Sequence, residues 1–171
     1  MKKHSIFTTA AIAAALTLTL NAFAQGKPSW AAAAKPGTST IVQIVLQPDG
    51  EFDVLQAAVV RAGLVDVLNG KGHYTVFAPT DAAFIATLHV ANEAEAIAAV
   101  NALPLETLTS ILLYHVTEGR RTSRSVLAAP GYEMLNGEYL TRAELLDAGI
   151  AATDISASNG IIHVINHVLI P

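Results

Sequence analysis

Residues 74–84 read YTVFAPTDAAF, and this stretch limits the fold more than any other. Tyr74, Val76 and Ala78 share one parity, Thr75 and Phe77 the other. β-Branched and aromatic residues at both parities predict a strand with both faces at least partly covered. Pro79 has no N–H for a ladder, so pairing should fade there. Thr80 can cap a helix over DAAFIATL by accepting an orphan amide, and Asp81 falls in the first turn, where the helix field favours a carboxylate. Phe84 then faces inward, with Leu88 one turn later. Thr80-Asp81 reads as a structural hinge between strand and helix rather than as a catalytic pair.

Upstream, Thr40 is an N-cap for TIVQIVLQPDG, with Pro48 and Gly50 ending the turn. Phe52, Leu55, Val59 and Ala62 recur at helical spacing, and Gly63 suits a left-handed helix end. LVDVLNG adds a short helical turn. Downstream, Asn92 and Glu95 form a capping pair. Leu105, Leu108, Ile111 and Leu112 form an apolar stripe ending near Tyr114-His115. RRTSRS at 120–125 reads as a solvated loop or edge strand. Asn136-Gly137 carries the two-residue type I′ hairpin signal. Residues 141–150 admit two readings: a short helix boxed by Thr141 and Glu144 and closed by Gly149, or irregular sheet edges. Asn159-Gly160 predicts a second two-residue loop, setting Ser158 opposite Ile161, Ser156 opposite His163 and Ile155 opposite Val164. Period two then places Ile162, Val164, Val168 and Ile170 on one face. Asn166 is that face's polar member. It should bond another strand or loop, or mark where the face opens to water.

The first 24 residues join a basic start (Lys2, Lys3), an apolar run from Ile6 to Leu20 and a small-x-small Ala22-Phe23-Ala24, the pattern of a secretory signal peptide cleaved after Ala24. The run is too short and too broken by threonine for a comfortable membrane span. Residues 25–39, QGKPSWAAAAKPGTS, read as a leader or spacer, and 40–171 as one domain. The whole chain carries 10 Lys or Arg against 14 Asp or Glu, a net charge of −4. Without Lys2 and Lys3 the balance is more acidic still, which disfavours phosphate backbones and so nucleic acid. There is no cysteine, so an exported fold must stand without disulfides.

Chemistry is sparsely signalled. There is no GxGxxG, Walker sequence, CxxC or GxSxG, so nucleotide and redox cofactors are not expected. His163 and His167 lie four residues apart, roughly 13 Å along an extended strand, too far for one ion; no metal site is expected. His115 reads as a satisfied histidine at a helix end, where the dipole favours a cation. A serine hydrolase is the remote alternative, with Ser156 facing His163 and Asp154 nearby, but it lacks an evident orienter and oxyanion hole. Arg120, Arg121 and Arg124 read as a solvated cluster.

Three blocks in order resemble the fasciclin-like (FAS1) domain family: YTVFAPTDAAF (74–84), ILLYHVTEG (111–119, with the family's Tyr-His pair as Tyr114 and His115) and SNGIIHVINHVLIP (158–171). FDVLQAAVVRAGLVDVLNGKG (52–72) matches in style. The resemblance covers about residues 40–171. It implies an α/β (α+β) wedge or sandwich of about seven strands with several helices packed on one side. It also implies an exported, periplasmic or extracellular module for protein, cell-surface or matrix contact, of the bacterial secreted single-domain type, with no shared enzymatic activity and no cofactor. A periplasmic binder of a small apolar or saccharide ligand is the alternative. The residues to which it points for interaction or structural signature are Thr80, Asp81, Tyr114, His115, His163 and Asn166. Two departures stand out. Asn166 replaces the family's usual aspartate, and residues 141–150 look helix-capped where the family more often runs through sheet.

Overall fold

A computed structural model describes residues 38–47, 50–70 and 72–171. The signal-peptide expectation, most of the spacer, and Pro48 lie outside the described residues.

Three helices open the described chain: α1 (Ile41–Val45), α2 (Asp53–Arg61) and α3 (Val65–Leu68). Thr40 and Gln43 cap α1 reciprocally, and Gly63 follows α2 with a left-handed φ of +67°. Strand β1 (Tyr74–Pro79) then leads into α4 (Asp81–Leu88), where Thr80 accepts the amide of Ala83 as its N-cap. Next come α5 (Glu93–Ala102), capped by Asn92, and α6 (Leu105–Tyr114). The Arg61 guanidinium donates to the carbonyls of Val100 and Leu103 and so closes the C-terminal end of α5. On α6, Leu108 and Leu112 are buried, whereas Leu105 of the expected stripe is exposed.

The second half runs β2 (Val116–Glu118), α7 (Ser123–Ala128), β3 (Gly131–Glu133), β4 (Tyr139–Thr141), α8 (Arg142–Asp147), β5 (Ile150–Ala157) and β6 (Gly160–Ile165). Six strands are present among the described residues, in a four-stranded sheet ordered β2-β1-β6-β5 and a β3-β4 pair. β1 and β6 are parallel, from Tyr74 opposite Gly160 to Pro79 opposite Ile165, while β2 and β5 flank them antiparallel.

Both faces of this central pair are buried. Val76, Ala78, Ile162 and Val164 enter a core built with α1–α6. Phe77 and Ile165 enter a second core with Tyr114, Val126, Tyr132, Leu140, Leu145 and Leu169. The sheet thus lies between a helical layer and a smaller layer made by the β3-β4 pair with α7 and α8. Six helices share one side, but α7 and α8 join the other.

Several local expectations are corrected. RRTSRS is neither loop nor edge strand throughout, because Ser123–Ala128 is helical. Nor is its cluster simply solvated. Arg120 donates to the Ala157 carbonyl and the Ser156 hydroxyl, and Arg121 lies 4.5 Å from the centre of the Tyr132 ring. Asn136-Gly137 is not a two-residue type I′ loop. Only Gly137 has positive φ, and Met134 bonds Glu138 across a three-residue loop in which Asn136 Oδ1 accepts from Glu138. The open question over residues 141–150 resolves to a helix with a complete Thr141–Glu144 capping box, after which Ile150 starts β5.

The terminal hairpin is shifted by one residue. Ala157 pairs with Gly160 and Ser156 with Ile161, so Ser158-Asn159 form the turn. The reason is tertiary. Asn159 is fixed from three sides: its Oδ1 accepts from Ile41, its Nδ2 donates to Leu68 and its carbonyl accepts from Tyr74. Gly160 serves close approach, since a Cβ there would stand 2.1 Å from the Tyr74 carbonyl oxygen. Gly160→Ala should therefore part β1 from β6 and cost about 1–3 kcal/mol; an unchanged urea midpoint would refute this. β6 also ends at Ile165, so Val168 and Ile170 do not extend its face, and His167 is not on the strand.

Candidate functional site

The three sequence blocks meet around the ends of β1 and β6. The Phe77 amide donates to the His115 carbonyl, and the Thr80 amide to the Ile165 carbonyl. The Phe77 and His163 rings stack with centroids 5.7 Å apart. The Leu169 amide donates to His115 Nε2 at 3.0 Å.

Asp81 does more than sit in the first turn of its own helix. The N-cap position of helix α2 is Phe52, which offers no capping side chain. The buried Asp81 carboxylate supplies the cap from elsewhere in the chain, accepting the amides of Asp53 at 3.1 Å and Val54 at 2.9 Å. Its own amide donates to the Glu51 carbonyl. A carboxylate at a helix N-terminus satisfies orphan donors and meets the positive end of the dipole. In sequence Phe52 reads only as part of the α2 apolar stripe and Asp81 only as a first-turn carboxylate of its own helix, so the pairing was not legible. Asp81→Ala should cost about 1–3 kcal/mol through the exposed donors and speed amide exchange at Val54; unchanged protection there would contradict the cap.

Glu93 and Asp53 approach the same place, the three carboxylates lying within 4.8 Å of one another. Burial, then the charges of Asp81 and Asp53, push the Glu93 carboxyl above the usual range. With both Asp81 oxygens committed to α2 amides, this cluster reads as a helix junction.

His115 terminates α6 and is 3 % exposed. Its Nδ1 lies 2.8 Å from the Ile111 carbonyl and its Nε2 accepts from Leu169. Only the neutral ring with a proton on Nδ1 satisfies both. Burial lowers its pKa to about 4, so the expected helix-end cation is corrected to a neutral bridge: desolvation outweighs the dipole. Tyr114 packs in the second core at 4 % exposure.

His163 is likewise interior. Nδ1 accepts from the Asp154 amide at 3.3 Å, and Nε2 faces the Arg121 carbonyl at 2.9 Å. Burial lowers its pKa. The predicted Ser156–His163 facing pair is overturned by the register shift: Ser156 stands opposite Ile161 and bonds Arg120. Asp154 clasps the start of α7 through the amide and hydroxyl of Ser123. Asn166 lies just past the end of β6 and is exposed, so it is not a polar member of the strand face as expected; its backbone N–H donates to the Ala148 and Gly149 carbonyls. Of the six signature residues, Asp81, Tyr114, His115 and His163 are buried, Thr80 is half-buried and Asn166 is exposed.

Two hollows matter. One, under α1 and α2 and bounded by His115, is apolar with a volume of about 20 Å³, enough for about one water. The other is a cleft of about 430 Å³ beside α8 and the C-terminal segment, with Tyr114 in its wall. Nothing in the sequence signalled it, because its walls come from four separate stretches.

The fold is a mixed α/β body with two cores about a parallel strand pair, in which Asp81, Tyr114, His115 and His163 are buried. The chain belongs to the fasciclin domain family, whose model matches residues 50–171. It is 37 % identical over 147 residues to protein sll1483 of Synechocystis, covering 81 % of this chain and 77 % of that one. It is 37 % identical over 152 residues to pig transforming growth factor-beta-induced protein ig-h3, covering 80 % of this chain but only 20 % of that longer protein. The fold is similar to a solved FAS1 domain pair from the insect cell adhesion molecule fasciclin I, with a TM-score of 0.53, 17 % identity, and coverage of 80 % of this chain and 52 % of that one. Among the described residues no single helix is long and apolar enough to cross a membrane.

Proposed function

We propose that this protein is an exported, non-enzymatic binding module whose surface contacts a protein or a cell-surface or matrix component, with residues 1–24 as its export signal, 25–39 as a spacer and 40–171 as the working domain. The observation that carries the reading is the fate of the chemical groups. His115 and His163, the two buried histidines of the family blocks, each have both ring nitrogens committed inside the fold, and the third, His167, is exposed with only Nδ1 engaged. What the surface offers instead is large apolar side chains on helices and strands, among them Val60, Leu105, Tyr139 and Leu146, each more than half exposed. Exposed apolar groups on a firm scaffold suit contact. The fasciclin I relative, an insect cell adhesion molecule, supports the same reading, as does the leader for a periplasmic or extracellular location.

The alternative of a small apolar ligand is weaker. Such ligands need roughly 300–1,000 Å³, far more than the 20 Å³ apolar hollow supplies, and the 430 Å³ cleft is walled by Glu144 and Asp147 as well as by apolar side chains. Affinity capture from the exported fraction, with residues 25–171 as bait, should yield a saturable protein or surface partner whose retention falls when Leu105 and Tyr139 are replaced by serine. Hydrolytic turnover abolished by His163→Gln in a variant that remains folded would overturn the proposal.

A further inference from the structure

We infer that the cleft beside α8 is a binding site for a primary ammonium or guanidinium group carried on an apolar stem, with the Tyr114 hydroxyl and the Glu144 and Asp147 carboxylates as its polar contacts. The inference does not rest on the contact reading, since the cleft could be filled by a free amine as well as by a side chain.

The volume of about 430 Å³ lies within the range of small-ligand sites. Its walls pair Leu140, Val168 and Leu169 with Glu144 and Asp147. Tyr114 is the second, independent observation. The residue is 4 % exposed, yet its hydroxyl bonds none of the described residues. Asn136 Nδ2 is the one side-chain nitrogen or oxygen among the described residues that is both sealed from solvent and unpartnered. The Tyr114 hydroxyl is therefore not sealed, and the cleft is the opening it borders. Burial raises its pKa first, and the charges of Glu144 and then Glu138 add to that; Tyr114 and Glu144 both line the cleft.

Glu144 is held as an anion. The Thr141 amide and hydroxyl both donate to Oε2, each at 2.8 Å, and the backbone bond is the larger reason its carboxyl stays below the usual range. Oε1 remains uncommitted, as does the Asp147 carboxylate. His167 Nδ1 lies 3.3 Å from the Ala148 carbonyl, which leaves Nε2 as a further acceptor.

The chemistry follows from what this set lacks. No lysine or arginine borders the cleft, so an anion finds no strong partner. The acidic groups do not converge tightly enough for a metal ion: among the described residues only Asp53, Asp81 and Glu93 do. A saccharide would want an aromatic face on which to lie, and the Tyr114 ring is buried in the second core. A compact organic cation meets two carboxylates and a phenol oxygen, while its methylene stem lies on Leu140, Val168 and Leu169.

The test is a titration of the folded protein, read by amide chemical shifts around Ala148 and Leu169 and by calorimetry. The probes are 1,5-diaminopentane, a short peptide with one central lysine and blocked ends, and its norleucine counterpart. Saturable binding of either amine, with none of the norleucine peptide, is expected. Tyr114→Phe keeps the ring and should weaken binding roughly 3- to 10-fold, the worth of one hydrogen bond; Asp147→Asn should weaken it at least as much and reduce its salt dependence. Tighter binding of the peptide assigns the cleft to a partner's side chain, and tighter binding of the diamine to a free amine. Absence of saturable shifts with both amines, equal binding of the norleucine peptide, saturable binding of N-acetylglucosamine instead, or indifference to both substitutions would overturn the inference. Loss of protein capture without loss of amine binding would instead fail only the contact reading.

Discussion

Tyr114→Ala is expected to lower the unfolding free energy by about 3–5 kcal/mol, the range for truncating a buried aromatic side chain. Tyr114→Phe should cost under about 1 kcal/mol, because the hydroxyl it removes has no partner within the fold to be orphaned. The difference arises from position. Tyr114 ends α6 and fills the core that also holds Phe77, Ile165 and Leu169, so truncation leaves a cavity where the three blocks join. Urea denaturation of the two variants is the measurement. Intact stability in Tyr114→Ala would mean that the ring is not part of that core.

The second large effect is acid sensitivity. His115 is neutral in the fold, with a pKa near 4 against 6.5 for the free side chain. Between these values the unfolded chain binds more protons than the folded one, so stability falls as pH falls. The penalty from His115 alone is about 2 kcal/mol on going from pH 7 to pH 5, and about 3 kcal/mol by pH 4. His163, whose pKa is also lowered by burial, adds in the same direction. Glu144 has its pKa lowered chiefly by the Thr141 amide; its contribution is present above its unfolded value and is lost only as pH falls through the folded one, below the histidine window. Urea midpoints at pH 7, 6, 5 and 4 should therefore decline before carboxylates titrate. His115→Gln should be less stable at pH 7, having lost the Ile111–Leu169 bridge, but flatter with pH. An equal slope in both proteins would contradict a buried neutral His115.

The same bridge explains why a helix-end histidine escapes the usual rule. A dipole stabilises a cation by a few tenths to about 2 kcal/mol, whereas burial without a counter-charge costs more. From the sequence, only the helix end was visible. The Leu169 amide that claims Nε2 comes from 54 residues away.

Local signals were legible wherever a residue's partner lay within a turn or two along the chain. The Thr80, Asn92 and Thr141 caps, the left-handed Gly63 and the alternation of β1 follow from bonds spanning three or four residues and from side-chain parity, which are sequence properties. The ordered blocks likewise sufficed for the family and its α/β body. Tertiary structure alone decided the rest. The terminal hairpin turns at Ser158-Asn159 because Asn159 is anchored to Ile41 and Leu68 and because Gly160 must lie against the Tyr74 carbonyl. Asp81 caps a helix 28 residues upstream, and a cleft forms where Thr87, Tyr114, Asp147 and Leu169 happen to converge. Short-range hydrogen bonds are encoded by neighbours, but register, burial and charge state depend on which distant groups exclude water from a given atom.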